Sequence, residues 1–125
     1  METNTIKPTK INLEVHGEQS LKFGLSPEQW QRVHAVFADY PEIERVVLYG
    51  SRAKGTYRPG SDVDLALFGP ALNAKIMNKL ATRLDDLLLP YEFDLCIFDY
   101  IDNAELIAHI MRVGKDIYHH DAISP

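Results

Sequence analysis

The chain has 125 residues, 46% of them hydrophobic, and a formal net charge of -5; this suits one globular domain with a real core and excludes an intrinsically disordered chain. The acidic balance argues against broad binding to a nucleic-acid backbone, which needs clustered Lys and Arg, and apolar runs as short as Leu87-Leu88-Leu89 fall far below the roughly 20 residues of a membrane span. The polar start from Met1 to Lys10 has no signal-peptide character, and the single Cys96 has no internal disulfide partner, so the chain reads as cytoplasmic.

Residues 1–21 carry a weak pattern and read either as a tail or as one added strand, since Ile11, Leu13 and Val15 alternate. Ser26-Pro27-Glu28-Gln29 marks a helix start, with Ser at the cap and Pro in the first turn. Trp30, Val33, Phe37 and Tyr40 follow at helical spacing until Pro41. Residues 43–49 are apolar and β-branched, as in a strand buried on both faces. Residues 50–60 form a loop punctuated by Gly and Pro, with a short helical turn over 51–54. A second strand spans 62–68 and stops at Gly69-Pro70. Leu72, Ile76, Leu80, Leu84, Leu87 and Leu88 make the apolar stripe of a long helix that Pro90 stops. A third strand follows at 92–98, then a helix marked by Leu106, Ile110 and Val113 and closed by Gly114, then a short strand at 115–119. The expected fold is α/β (α+β): a single small domain with a mixed sheet of about four strands and helices packed on it. Its bounds are expected at 22–119, after an N-terminal extension at 1–21 and before a C-terminal tail at 120–125.

The chemistry concentrates in GSRAKGTYRPGSDVD, residues 50–64: Gly50-Ser51, ten residues, then Asp62-x-Asp64. Four fixed positions recur by chance in roughly one chain of this length in several hundred. The context sharpens the signal, because Gly-Ser follows a buried strand and Asp-x-Asp opens the next. In a strand, residues i and i+2 point to one face, so Asp62 and Asp64 aim at a common point. Asp94 lies mid-strand in YEFDLCIF, where Asp is disfavoured and an unpaired buried carboxylate is costly. Three converging carboxylates repel by about 4 kcal/mol per close pair at an effective dielectric near 20. Divalent metal removes that cost, and two Mg²⁺ ions roughly 3.5–4 Å apart would serve an attacking hydroxyl and a leaving pyrophosphate. The plainer alternative is that these Asp residues cap strand ends or pair with Arg.

Gly50 permits a tight turn, and amides after it together with the Ser51 hydroxyl suit phosphate oxygens. Alone, the pair reads as an ordinary strand-to-helix turn; Asp-x-Asp turns the reading towards phosphate. Arg52, Lys54 and Arg58 lie within seven residues, a cationic spot suited to a triphosphate. A P-loop is excluded, because Thr56 and Tyr57 follow Gly55 where Lys and Ser or Thr are required. His34 falls in the first helix and reads as partly exposed. His119 and His120 form a pair too short to bind metal without further ligands. Cys96 shares a face with Asp94 but reads as core.

These residues resemble the minimal nucleotidyltransferases of the DNA polymerase β-like superfamily over residues 22–118, in GSRAKG, GSDVDLALFG and YEFDLCIF. The resemblance implies the polymerase β-like fold, triphosphate binding at Gly50, Ser51 and Arg52, and metal binding and catalysis at Asp62, Asp64 and Asp94. Stand-alone members pair with a helical HEPN protein, an RNase-like toxin, and act as antitoxins by adding AMP to it. The implied reaction is therefore transfer of a nucleoside monophosphate, AMP from ATP or its equivalent from another nucleoside triphosphate. The acceptor is a hydroxyl, a Tyr of a HEPN-type partner, with two Mg²⁺ as cofactor and a hetero-oligomer as the assembly. Two other readings compete: transfer to a small molecule such as an aminoglycoside, and non-enzymatic silencing of a partner by covering it. Intact carboxylates favour the enzymes, and the lack of an acceptor-binding region favours the protein acceptor. The extension at 1–21 does not align with the family core.

Overall fold

The computed structural model describes residues 21–120, so the alternation at 11–15, the extension apart from Leu21 and the tail apart from His120 lie outside the described residues. The first helix, α1 (Pro27–Ala38), begins as its sequence dictates. The Ser26 side chain accepts from the Gln29 N–H at 3.2 Å, and the Gln29 side chain accepts from the Ser26 N–H at 2.9 Å. This reciprocal capping satisfies donors that a helix start otherwise leaves bare.

Strand β1 (Arg45–Tyr49) follows. It starts two residues later than expected, because the Ile43 N–H closes a turn onto the Tyr40 carbonyl at 2.9 Å. Within residues 50–60 the expected short helical turn is present and starts one residue earlier: Gly50–Lys54 form a one-turn helix, α2, capped by Gly55. Strand β2 (Val63–Phe68) begins one residue after Asp62. Helix α3 (Ala74–Asp85), capped by the Asn73 side chain, is shorter than its leucine stripe suggests. Leu88 adopts a left-handed conformation (φ 58°) and is 88% exposed, contrary to its expected place on the buried face. An L residue held at positive φ cannot continue a right-handed helix. Strand β3 (Phe93–Ile97) leads through a 3₁₀ turn (Phe98–Tyr100) into helix α4 (Ala104–Val113) and strand β4 (Lys115–His119).

The sheet order is β3-β2-β1-β4. Strand β1 is antiparallel to β2 and β4, whereas β2 and β3 are parallel, with α3 crossing between them. The sheet is mixed and four-stranded, as expected. Strand pleating divides the side chains between two layers. Val46, Leu48, Val63, Leu65 and Leu67 face the main core, which α1 and α3 cover with Trp30, Val33, Phe37, Leu80 and Leu84. Val47 and Ala66 face the other way, beneath Ile110 of α4. Full burial of one such aliphatic side chain contributes about 1.5–3 kcal/mol, so the deeper first layer anchors the sheet. The second, thinner layer leaves the leading ends of β2 and β3 open beside α4, and there the polar residues gather.

Candidate active site

Register brings the acidic residues together. Asp64 is the second residue of β2 and pairs laterally with Asp94, the second residue of β3. On its other side Asp64 pairs with Tyr49 at the end of β1. Three neighbouring strands thus present Tyr49, Asp64 and Asp94 in a row. Asp62 lies just outside β2, yet carboxylate oxygens of Asp62, Asp64 and Asp94 all lie within 4.8 Å of one another. The expected convergence is present, although Asp62 reaches it from the loop rather than from the strand. Asp62 and Asp94 are exposed and Asp64 is half-buried.

The electrostatics follow from that packing. The Asp64 carboxyl is pushed up to about 6, first by loss of solvent, then by the Asp94 and Asp62 charges, with Arg52 opposing. Desolvation and like charge both disfavour the ionised form. Three hard oxygen donors crowded this closely, with Asp64 resisting ionisation, suit a hard divalent cation such as Mg²⁺, which supplies the missing positive charge. The donor chemistry therefore fits a metal.

Gly50 adjoins this cluster. Its φ is +76°, and a Cβ there would collide with Asp64 Oδ2. Only glycine allows both the backbone conformation and the close approach of the carboxylate. Ser51 follows at once, half-buried, in the first turn of α2.

Arg52 departs from its expected place. It is 2% exposed, and it donates from Nε and Nη2 to the Ser61 carbonyl at 3.2 and 2.9 Å and from Nη1 to the Phe23 carbonyl at 2.8 Å. Tyr57 and Tyr91 flank the guanidinium, with centroids 4.9 and 5.0 Å away. Carbonyl dipoles and ring faces satisfy the cation in the interior, so it does not join the exposed Lys54 and Arg58 in a cationic spot.

Two residues near the site were not singled out in the sequence. His109 Nε2 accepts the Gly50 N–H at 3.2 Å, and its ring meets Tyr49 edge-on at 6.1 Å. The signal was present: His109 falls three residues after Leu106 and one before Ile110, on the stripe that faces the sheet. Tyr49 Oη lies 3.6 Å from Cys96 Sγ. Burial pushes both the phenol and the thiol above their ordinary values, with the nearby carboxylates adding to the effect. Cys96 is half-buried and packs against the smaller apolar cluster of Val47, Ala66 and Ile110, at the edge of the core rather than within it. His34 is half-buried, with Nε2 enclosed and unpartnered. His119 approaches Asp116 at 3.6 Å, and neither it nor His120 joins a metal-type cluster among the described residues.

Solved structures share this architecture. A toxin–antitoxin structure with AMP-PNP contains a chain 23% identical to this one, at a TM-score of 0.61, with 72% of this chain and 73% of that chain covered. A structure of tri-AMPylated Shewanella oneidensis HEPN toxin in complex with MNT antitoxin matches at 19% identity and a TM-score of 0.56, covering 75% of this chain and 72% of that one. The MntA–HepT toxin–antitoxin structure matches at 19% identity and a TM-score of 0.55, covering 75% and 73%. At such identities the likeness shows the fold. A comparison with curated proteins finds no match. The family described as "Polymerase beta, Nucleotidyltransferase" matches residues 31–123, a span that holds Gly50, Ser51 and all three clustered carboxylates. The chain therefore belongs to the polymerase β nucleotidyltransferase family and is a nucleotidyltransferase.

Proposed function

We propose that this chain moves AMP from ATP onto a hydroxyl of a HEPN-type helical protein, a Tyr, and thereby acts as its antitoxin. The observation that carries the reading is the convergence of Asp62, Asp64 and Asp94 beside the Gly50–Ser51 turn. The choice of partner is supported by likeness to chains from toxin–antitoxin complexes, one with AMP-PNP and one with a tri-AMPylated HEPN toxin.

In this reading the Ser51 hydroxyl and the amides at the start of α2 hold triphosphate oxygens. Asp62 and Asp64 hold Mg²⁺, and Asp94 completes the ligand set on the acceptor side. Bound Mg²⁺, as two ions, supplies charge neutralisation at the phosphates and a more acidic acceptor hydroxyl. The acceptor oxygen attacks the α-phosphorus, the bond to the bridging oxygen of the β-phosphate breaks, and pyrophosphate leaves. Asp94 accepts the hydroxyl proton. Docking of the acceptor protein supplies orientation, because it turns a bimolecular encounter into a nearly unimolecular step.

The test is to incubate the chain with labelled ATP, Mg²⁺ and the product of its neighbouring gene, which this reading expects to be a HEPN-type protein, then weigh that protein. A mass gain of one or more AMP units is expected. Modification of an added aminoglycoside with the protein left unmodified would replace the proposed acceptor with a small molecule. Inhibition of the partner without any modification would replace catalysis with occlusion.

A further inference from the structure

The loop between Gly-Ser and Asp-x-Asp has few ties of its own. Among the described residues its backbone N–H groups bond locally: the Gly55 N–H to the Ser51 carbonyl, the Thr56 N–H to the same carbonyl at 3.0 Å, the Ser61 N–H to the Arg58 carbonyl at 2.9 Å, and the Arg58 N–H to Ser61 Oγ at 2.9 Å. Such bonds shape the loop without fixing where its end lies. Ala53 packs against the main core, and Arg52 ties the far end of the loop back to the body of the fold, gripping the Ser61 carbonyl with two nitrogens and the Phe23 carbonyl with a third. Ser61 immediately precedes Asp62, and Arg52 immediately follows Ser51. One guanidinium thus bridges the two halves of the motif.

The surroundings are built around that group. Gly24 has φ +91°, and a Cβ there would collide with Arg52 Nη1. Tyr91, on one face of the guanidinium, is itself anchored by its hydroxyl to the Gly24 carbonyl at 3.2 Å. A rigid planar fork can hold two carbonyls and lie between two rings, whereas a lysine ammonium offers a point charge on a flexible stem. We infer that Arg52 is a positioning residue that fixes Asp62 against the Gly50–Ser51 turn, so that the carboxylates are spaced to hold metal. The inference rests on the metal reading above.

The experiment measures Mn²⁺ binding to the full chain by electron paramagnetic resonance, and ATP binding in EDTA, for the wild type, Arg52→Lys and Arg52→Met. Circular dichroism confirms folding. Residues that orient metal ligands typically cost about 10–100-fold in metal affinity when replaced. Weakening of Mn²⁺ binding by about tenfold in Arg52→Lys is expected, more in Arg52→Met, with metal-free ATP binding unchanged. Raised Mg²⁺ should then restore the turnover of Arg52→Lys, which a damaged fold would not allow. If neither Arg52 variant folds, Tyr57→Leu, which loosens one side of the clamp, should weaken Mn²⁺ in the same direction. Unchanged Mn²⁺ affinity in a folded variant overturns the inference. So does loss of ATP affinity with Mn²⁺ affinity intact, which would make Arg52 a phosphate ligand. A wild-type chain that binds no Mn²⁺ overturns the metal reading and this inference together, whereas wild-type binding that the variants preserve overturns the inference alone.

Discussion

Asp64→Asn should make the metal-free protein more stable while removing nucleotidyl transfer. The folded chain holds the Asp64 carboxyl near 6, against 3.8 for an unperturbed Asp. Between those values the folded state keeps a proton that the unfolded state has released. Stability therefore falls as pH rises through that window, and the whole penalty applies above pH 6. About two units correspond to about 3 kcal/mol. Asp64 is half-buried, so solvent screening reduces this to about 1 kcal/mol. For a chain of this size that is about 4 °C in melting temperature. Melts in EDTA at pH 7.5 should place Asp64→Asn about 4 °C above the wild type, with the gap closing as pH approaches 4. Saturating Mg²⁺ should raise the wild type and leave the variant nearly unmoved, because only the wild type retains the full ligand set. If the variant melts at or below the wild type in EDTA, the Asp64 carboxylate is not strained by its neighbours. The electrostatic argument for metal would then fail.

The other expectations follow from the same geometry. Ser51→Ala should weaken ATP binding more than adenosine binding, read by titrating both ligands; equal losses would count against a phosphate role. Asp94→Ala should lower kcat by about 10²–10⁴-fold, the usual worth of a positioned proton acceptor, with little change in ATP affinity. A variant that lost ATP binding but kept turnover at saturation would contradict that division of roles. Gly50→Ala should cost about 1–2 kcal/mol from the left-handed backbone alone, plus displacement of Asp64. Urea titration would show the first effect, and lost Mn²⁺ binding the second.

The carboxylate cluster was legible in part because strand register is regular and sets Asp64 beside Asp94, whereas the expected strand placement of Asp62 gave way to an approach from the loop just before β2. The sheet was legible for the same reason. What escaped depends on contacts far apart in sequence. GSRAKG, beside a motif for phosphate, gives Arg52 the look of a triphosphate ligand. Only the return of the chain at Phe23 and Ser61 shows that its donors are already engaged. His109 lay on a readable helical stripe, but nothing local says that its imidazole meets the amide of Gly50. The leucines ending α3 kept their periodicity past the end of the helix, and the left-handed turn at Leu88 that exposes it has no glycine to announce it.

The parallel pairing of β2 and β3 divides the chain into parts whose length is free and parts whose length is fixed. Asp64 and Asp94 occupy equivalent second positions on those strands, with α3 and its flanking turns between them. Insertions in that crossover, or in the exposed residues near Leu88, lengthen the path between the carboxylates without moving either. A single residue added at the head of either strand would instead turn its carboxylate into the apolar layer. Among homologous sequences, gaps should therefore collect between residues 69 and 91 and be absent from the short stretches carrying Asp64 and Asp94. Variation in this family should take the form of loops and helices exchanged around a strand pair that cannot slip.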